Sequence, residues 1–346
     1  MNKKSLPEIS QNVSLQSMNT LGVHAVASSL VTIRSTDDLI SLHQSEFFER
    51  DLPFVLGGGS NILFKNDITK PILKMSISGV DIVEIKDREI FIKIGAGENW
   101  HDFVSWAVLH GYGGTENLAL IPGTVGAAPI QNIGAYGVEL KDIFESLEIF
   151  DMQTGSIQTF TEKDCRFGYR DSIFKHELKG KIIVTSVTLR LRRKDHQIND
   201  SYTSLRNYLI EKNIKNPTIS DIYHAVVSIR KSKLPDPASL GNAGSFFKNP
   251  IVEKSVFERM KNEFQEVPHF VVDKNSVKIP AGWLIEKAGW KGRRVGNVGT
   301  YENQALVIVN HGNATGDEIF RHAKSIQNSV KELFGINLMP EVNVVE

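Results

Sequence analysis

The run from Ile121 to Gly137, Ile-Pro-Gly-Thr-Val-Gly-Ala-Ala-Pro-Ile-Gln-Asn-Ile-Gly-Ala-Tyr-Gly, is too apolar for a solvent loop. It is also too rich in glycine and proline for a helix or a strand. An irregular connection of this length is unusual inside a compact domain unless it is functional. Small residues at so many positions let backbone wrap a large flat ligand, with Ile130 and Ile133 packing on a ring face. A second run, Gly57-Gly58-Gly59-Ser60-Asn61, follows the short apolar strand Pro53-Phe54-Val55-Leu56. Successive N–H groups of such a turn can form an anion-binding nest. Taken alone, this turn reads more readily as a link between strands. No Lys-Ser/Thr follows it, which excludes a Walker A loop, and no G-x-G-x-x-G occurs, which leaves a Rossmann site unsupported. Together the two runs suggest one extended cofactor that carries a pyrophosphate and a ring system.

The scaffold around them is strand-rich. Ile90, Ile92 and Ile94 alternate with Phe91 and Lys93 in a half-buried strand that ends at Gly95-Ala96-Gly97. A helix follows, with Trp100, Phe103, Val104, Ala107 and Val108 on one stripe and Gly111 as its stop. Leu147 to Phe160 reads as a hairpin turning at Thr154-Gly155, and Ile182 to Leu191 as a long strand with Val187, Leu189 and Leu191 on one face. From Asp195 to Ser220 the chain is polar and reads as loop-rich, a domain boundary. Beyond it helices and strands alternate. Pro280 to Ala288 is a helix with proline at its start and Gly289 at its end, and Ala305 to Val309 is a buried strand. The last helix opens on Thr315-Gly316-Asp317-Glu318, a capping-box pattern, buries Ala323, Ile326, Val330 and Leu333, and stops at Gly335. Pro340 to Val344 forms a final strand.

Composition narrows the function classes. The 346 residues suit two or three domains, each with its own core. Lys+Arg and Asp+Glu are both 40, so nothing argues for a nucleic-acid or acidic-membrane partner. A single cysteine, Cys165, excludes an internal disulfide framework and fits a reducing compartment. Met1 to Ser10 is polar, and no apolar run approaches the roughly 20 residues of a membrane span. The expectation is a soluble, cytoplasmic protein. The 10 histidines show no metal-ligand spacing, and no metal is expected.

Chemistry concentrates in Gly241-Asn242-Ala243-Gly244-Ser245-Phe246-Phe247-Lys248-Asn249-Pro250. A serine hydroxyl sits on a Gly/Asn-rich turn, where backbone can approach a ligand without a crowding Cβ. Two aromatics, a lysine and an amide follow at once. A serine that hands a proton to a bound substrate needs such surroundings.

The chain resembles the UDP-N-acetylenolpyruvoylglucosamine reductases, the MurB flavoenzymes of bacterial peptidoglycan precursor synthesis. The matching pieces run from Asn19-Thr20-Leu21-Gly22 to Pro340-Glu341. They include both glycine-rich runs, Tyr169-Arg170-Asp171-Ser172-Ile173-Phe174-Lys175, Lys233-Leu234-Pro235 and the Ser245 segment. The resemblance implies an α+β chain: an FAD-binding fold of the vanillyl-alcohol-oxidase type in two subdomains, plus a C-terminal α/β substrate domain. Residues 1–195 would bind the flavin, 196–220 would close over substrate as in the longer form of the enzyme, and 221–337 would bind substrate. The strand at 338–346 would return to the flavin region.

Roles follow from the same resemblance. Non-covalent FAD would lie against Gly57, Gly58, Gly59, Ser60, Asn61, Pro122, Gly123, Gly126, Ile133, Gly134 and Gly137. Tyr136, Tyr202, Lys233, Asn249 and Gln304 would contact the UDP-linked enolpyruvyl sugar or NADPH. Hydride would pass from flavin N5 to the vinyl carbon remote from the carboxylate, giving UDP-N-acetylmuramate. Arg170 and Glu341 would handle the carboxylate and the enol, and Ser245 would supply the proton. The protein would act as a monomer on small molecules. Asn343 stands where many members carry a basic residue, and Phe270 where some carry a tyrosine.

Each residue has a plainer reading. Arg170 alone is a salt-bridged surface arginine, Glu341 a solvated strand residue, and Lys233 part of a basic face with Arg230 and Lys231. Cys165 reads as a small buried residue. A flavin oxidase of the same fold, or a nucleotide-sugar-binding regulator, are the competing functions. Neither gives a reason for Ser245 together with Arg170 and Glu341.

Overall fold

The computed structural model describes residues 6–50 and 52–346, so half of the polar Met1–Ser10 stretch lies outside the described residues. They form two compact units. One comprises residues 6–13, 27–50, 52–58 and 69–230, and the other comprises Ser14–Val26, Gly59–Ile68 and Lys231–Glu346.

The first unit holds two sheets. In one, Val26–Ile33, Ile72–Met75 and Phe54–Leu56 run parallel, with Ile9–Ser14 on the outer edge. The helix Thr36–Gln44, opened by a Ser35 capping box, places Leu39 and Leu42 in the core over this sheet with Val31, Ile33 and Leu73. The other sheet has the order Ile157–Thr161, Phe144–Asp151, Ile182–Arg192, Glu89–Gly95, Val80–Ile85, with the first four strands antiparallel in turn and the last paired antiparallel to its neighbour. Val187, Leu189 and Leu191 stand opposite Ile94, Ile92 and Ile90, so one face of the sheet is a continuous β-branched and leucine layer. The helix Trp100–Leu109 packs against that layer through Trp100, Phe103, Val104 and Ala107, as its spacing predicts. Asn99 caps it, accepting from the N–H groups of His101 and Asp102.

The polar stretch after Lys194 differs from its loop-rich reading. Thr203–Glu211 is a helix, because Leu205 and Leu209, four residues apart, give an otherwise polar segment a buried stripe. A second helix, Ile219–Lys233, begins just beyond, where Thr218 Oγ1 accepts the Asp221 N–H and the Asp221 carboxylate accepts the Thr218 N–H. Both helices join the core of the first unit.

In the second unit, a four-stranded sheet of order Gly241–Ser245, Val307–Asn310, Val298–Thr300, Arg294–Val295 shares one core with the helices Ala281–Lys287 and Gly316–Phe334. The long helix carries the expected capping box and ends at Gly335 with φ +69. Ala323, Ile326 and Val330 are buried as expected, but Leu333 is 44% exposed. Phe334 takes the inward place in the last turn, where its ring meets Phe264 and Trp283. Asn343–Val345 pairs in parallel with Ile62–Phe64. Among the described residues, no helix is long and apolar enough to cross a membrane.

Candidate active site

The two glycine-rich runs meet in the first unit. The turn starts as the strand Phe54–Leu56 ends, and a Cβ on Gly57 would lie 2.6 Å from Thr124 Oγ1. A Cβ on Gly58 would lie 2.9 Å from the Gly123 Cα. Backbone therefore packs on backbone, which no larger residue allows. Pro122 is exposed, and Gly126 is backed by Ala96. Beneath the turn lies a residue the sequence reading passed over. Lys74, in register with Leu56, donates from Nζ to the Gly57 carbonyl. It is half-buried, and desolvation pulls its pKa below the usual lysine range. Among the described residues it has no carboxylate partner.

The rest of the turn belongs to the second unit. Gly59 is buried at φ +66, where a Cβ would lie 1.9 Å from the Met18 carbonyl oxygen. Half-buried Ser60 follows. Asn61 Nδ2 donates to the Glu341 carbonyl at 3.2 Å, and the Asn61 carbonyl accepts the Asn343 N–H at 3.0 Å.

The long run is less irregular than its composition suggests. Val125–Ala127 and Pro129–Gln131 are 3-10 turns, and Gly134–Ala135 pairs with Val138–Glu139 as a tiny hairpin. Ile133 is buried in the core and Ile130 packs partly buried against it. Gly137 is exposed at φ +84. Arg170 itself adopts φ +52, and its guanidinium donates to the carbonyls of Gly134 and Asn132. Tyr136, at φ +48, sets its ring 5.3 Å from that of Tyr202 in an edge-on contact. Burial pushes the Tyr136 hydroxyl up from its ordinary pKa, with Arg230 opposing the rise.

Arg230 is the second residue missed. Its Nε donates to the Leu120 carbonyl at 3.3 Å. Burial pulls its pKa down, Tyr136 works against that, and the like charge of Arg170 adds to it. The signal was present: position 230 falls four residues after buried Val226 on the apolar stripe of its helix. Within this unit, two guanidiniums and two phenols thus gather around one hairpin. That set can bind a carboxylate or phosphate beside a flat ring.

In the second unit, Ser245 ends its strand, is exposed, and follows Gly244 at φ +67. The next residue, Phe246, donates to the Leu306 carbonyl and accepts the Glu341 N–H, both at 2.8 Å. Phe246 and Phe247 are buried, with ring centroids 5.2 Å apart, and form an apolar floor. Asn249 Oδ1 accepts the Ala281 N–H at 2.9 Å and so caps a helix end from a distance. Gln304 Oε1 accepts the Leu306 N–H at 3.3 Å. Lys233 is exposed at the end of its helix. Phe270 is 51% exposed, and Asn343 Nδ2 donates to the Asn61 carbonyl. Cys165 is buried, and its thiol is pushed up to about 12, which removes it as a nucleophile. Among the described residues, no three His, Cys, Asp or Glu side chains group as a metal site.

Residues 27–161 match the model of a FAD binding domain, and residues 236–345 match that of the UDP-N-acetylenolpyruvoylglucosamine reductase C-terminal domain. The UDP-N-acetylenolpyruvoylglucosamine reductase of Flavobacterium johnsoniae is 47% identical across 98% of this chain and all of its own length. The chain belongs to the UDP-N-acetylenolpyruvoylglucosamine reductase family. The reductase of Pseudomonas aeruginosa is 45% identical, over 97% of this chain and 99% of its own. Among solved structures, the MurB reductase of Thermus caldophilus overlays with a TM-score of 0.69 at 24% identity, covering 99% of this chain and 100% of that one, a likeness of fold. The expected α+β FAD-binding fold with a C-terminal MurB domain is borne out, and this family member is an FAD-dependent oxidoreductase. The first unit fits an anionic dinucleotide. At Gly58 backbone meets the Gly123 backbone, only the small Thr124 and Ala127 side chains face Gly57, and Lys74 offers a half-buried cation without a carboxylate among the described residues.

Proposed function

We propose that the protein reduces UDP-N-acetylglucosamine enolpyruvate to UDP-N-acetylmuramate, with NADPH as the electron donor, in the cytoplasm and as a monomer. Bound FAD supplies a two-electron carrier between the donor and the enolpyruvyl group. In this reading residues 1–195 hold the flavin through Gly57 to Asn61 and through Pro122, Gly123, Gly126, Ile133, Gly134 and Gly137. Residues 196–220 close over substrate, 221–337 bind it, and 338–346 serve the flavin region.

The chain's own side chains then divide the work on the substrate. Arg170, fixed by two carbonyls, clamps the carboxylate and stabilises the negative charge that builds there as the vinyl group is reduced. Ser245 gives its proton to the carbon next to that carboxylate. A serine is a weak acid, so neighbouring cations must favour the transfer, and Glu341 would handle the enol that forms. Tyr136, Tyr202, Lys233, Asn249 and Gln304 hold the nucleotide and sugar.

One observation carries the reading. Ser245 is exposed beside a left-handed glycine, and the N–H of Glu341 is bonded to the carbonyl of the very next residue, which supports the two acting as neighbours. The test is an absorbance spectrum of the purified protein, followed by anaerobic NADPH oxidation with and without the enolpyruvyl sugar nucleotide. Yellow protein and substrate-dependent oxidation support the reading. Oxidation that depends on O₂ alone points to an oxidase, and a colourless protein to a binding role.

A further inference from the structure

Thr115, Glu116 and Asn117 are three consecutive polar residues, and all three are buried, at 0%, 2% and 1% exposure. Among the described residues the Thr115 hydroxyl has no hydrogen-bond partner, whereas its two neighbours are bonded. The Glu116 carboxylate accepts the Gly114 N–H at 2.6 Å. Burial pushes its carboxyl up, and the N–H groups of Glu116, Gly114 and Thr115 pull the other way. This closed turn presents Asn117 to two separate stretches of chain. Its Nδ2 donates to the Tyr136 carbonyl at 3.0 Å and to the Asn199 carbonyl at 2.8 Å. Asn199 adds a second stitch, donating from Nδ2 to the Gly137 carbonyl at 3.1 Å while its Oδ1 accepts from the N–H and hydroxyl of Ser201.

The two stitched stretches carry one tyrosine each. Tyr136 holds a left-handed backbone, which is strained for a residue other than glycine and persists only where the surroundings fix it. Tyr202 follows Ser201 directly and is 43% exposed, so its own burial does little to place it. The bonds from Asn117 and Asn199 to residues 136 and 137 are what hold the start of the Tyr202 segment against the hairpin, with the phenol rings in contact.

We propose that Asn117 is a positioning residue for substrate binding, acting through Tyr136 and Tyr202: one amide holds both backbones so that the two phenols meet the sugar nucleotide as a pair. The proposal rests on the reading in which those tyrosines contact substrate. Asn117 touches no substrate atom in this account.

The experiment is a double-mutant cycle on the FAD-loaded enzyme, measuring KM for UDP-N-acetylglucosamine enolpyruvate and kcat separately. Asn117→Ala should raise KM roughly tenfold, two ordinary hydrogen bonds being lost, with kcat within about twofold of wild type. Tyr202→Ala should raise KM as well. Because Asn117 acts through the tyrosine pair, the double variant should be little worse than Tyr202→Ala. Additive KM effects would overturn the proposal and leave the substrate reading intact. If Tyr202→Ala alone leaves KM unchanged, the substrate reading fails and the proposal falls with it. Asn199→Ala, which removes the parallel stitch, runs the same cycle if Asn117→Ala does not fold, with the same two outcomes.

Discussion

The two units position their candidate residues by opposite means. In the first, the residues sit where backbone is irregular: Gly123, Asn132, Tyr136, Gly137 and Arg170 all have positive φ. In the second, Ser245 ends a strand, Glu341 is bonded to the strand extension at Phe246, and Asn249 caps a helix. Irregular backbone is costly, but it points successive N–H and C=O groups inward, which suits a cofactor gripped along its length. In the second unit the left-handed positions at the candidate residues fall on glycine, Gly59 and the Gly244 that precedes Ser245. A single side chain is thus placed with little strain, which suits a proton donor. Both units brace their loops with buried asparagines, Asn117 and Asn132 in the first and Asn19, Asn242 and Asn310 in the second.

That contrast can be broken at its most crowded point. Gly58→Ala puts a Cβ 2.9 Å from the Gly123 backbone, which cannot yield as a flexible side chain would. The variant should lose about 3 kcal/mol of stability and most of its flavin. Urea unfolding and the flavin-to-protein absorbance ratio check it; retention of both would show that the two runs are not tightly apposed.

The second unit carries its own, different sensitivity. His322 is buried against Trp290 and bonded to Thr300 Oγ1, and burial, then Arg293, lowers its pKa to about 4. The unfolded chain takes up a proton near pH 6.5 that the folded chain refuses until about pH 4. Stability is therefore fully present above pH 6.5 and is lost as pH falls through that window, by about 3 kcal/mol at most. His322→Gln should flatten this slope, read from urea midpoints at pH 7 and 4.5. An unchanged slope would assign the acid sensitivity elsewhere.

A smaller effect sharpens the cofactor side. Lys74→Met should weaken FAD binding roughly tenfold at low salt and reduce its dependence on KCl, while Lys74→Arg retains most of it. Binding of riboflavin, which lacks phosphates, should not change. Equal losses for both ligands would make Lys74 a pin for Gly57 and nothing more.

Much of this was legible in the chain, for physical reasons. The strands at 89–95 and 182–192 and the helix at 100–109 follow from period and capping, since Ile90, Ile92 and Ile94 facing Val187, Leu189 and Leu191, and the stripe Trp100, Phe103, Val104 and Ala107, are wholly apolar. The glycine runs were legible because only glycine tolerates their contacts. The helix at 203–211 was missed because two leucines among polar residues are a faint stripe. Lys74, Arg230 and Asn117 were missed for another reason. Their burial is decided by distant segments, and a lysine, an arginine or an asparagine in isolation predicts a solvated side chain. Leu333 shows the same limit at a helix end, where the larger neighbouring ring of Phe334 wins the inward place.

Ser245 is the proposed proton donor to the substrate. Its direct test is an anaerobic stopped-flow experiment in which Ser245→Ala enzyme is first reduced by NADPH and then mixed with the enolpyruvyl sugar nucleotide. Flavin reduction should run at the wild-type rate, and reoxidation by substrate should slow by ~10²–10³. Reoxidation at the wild-type rate would contradict that role.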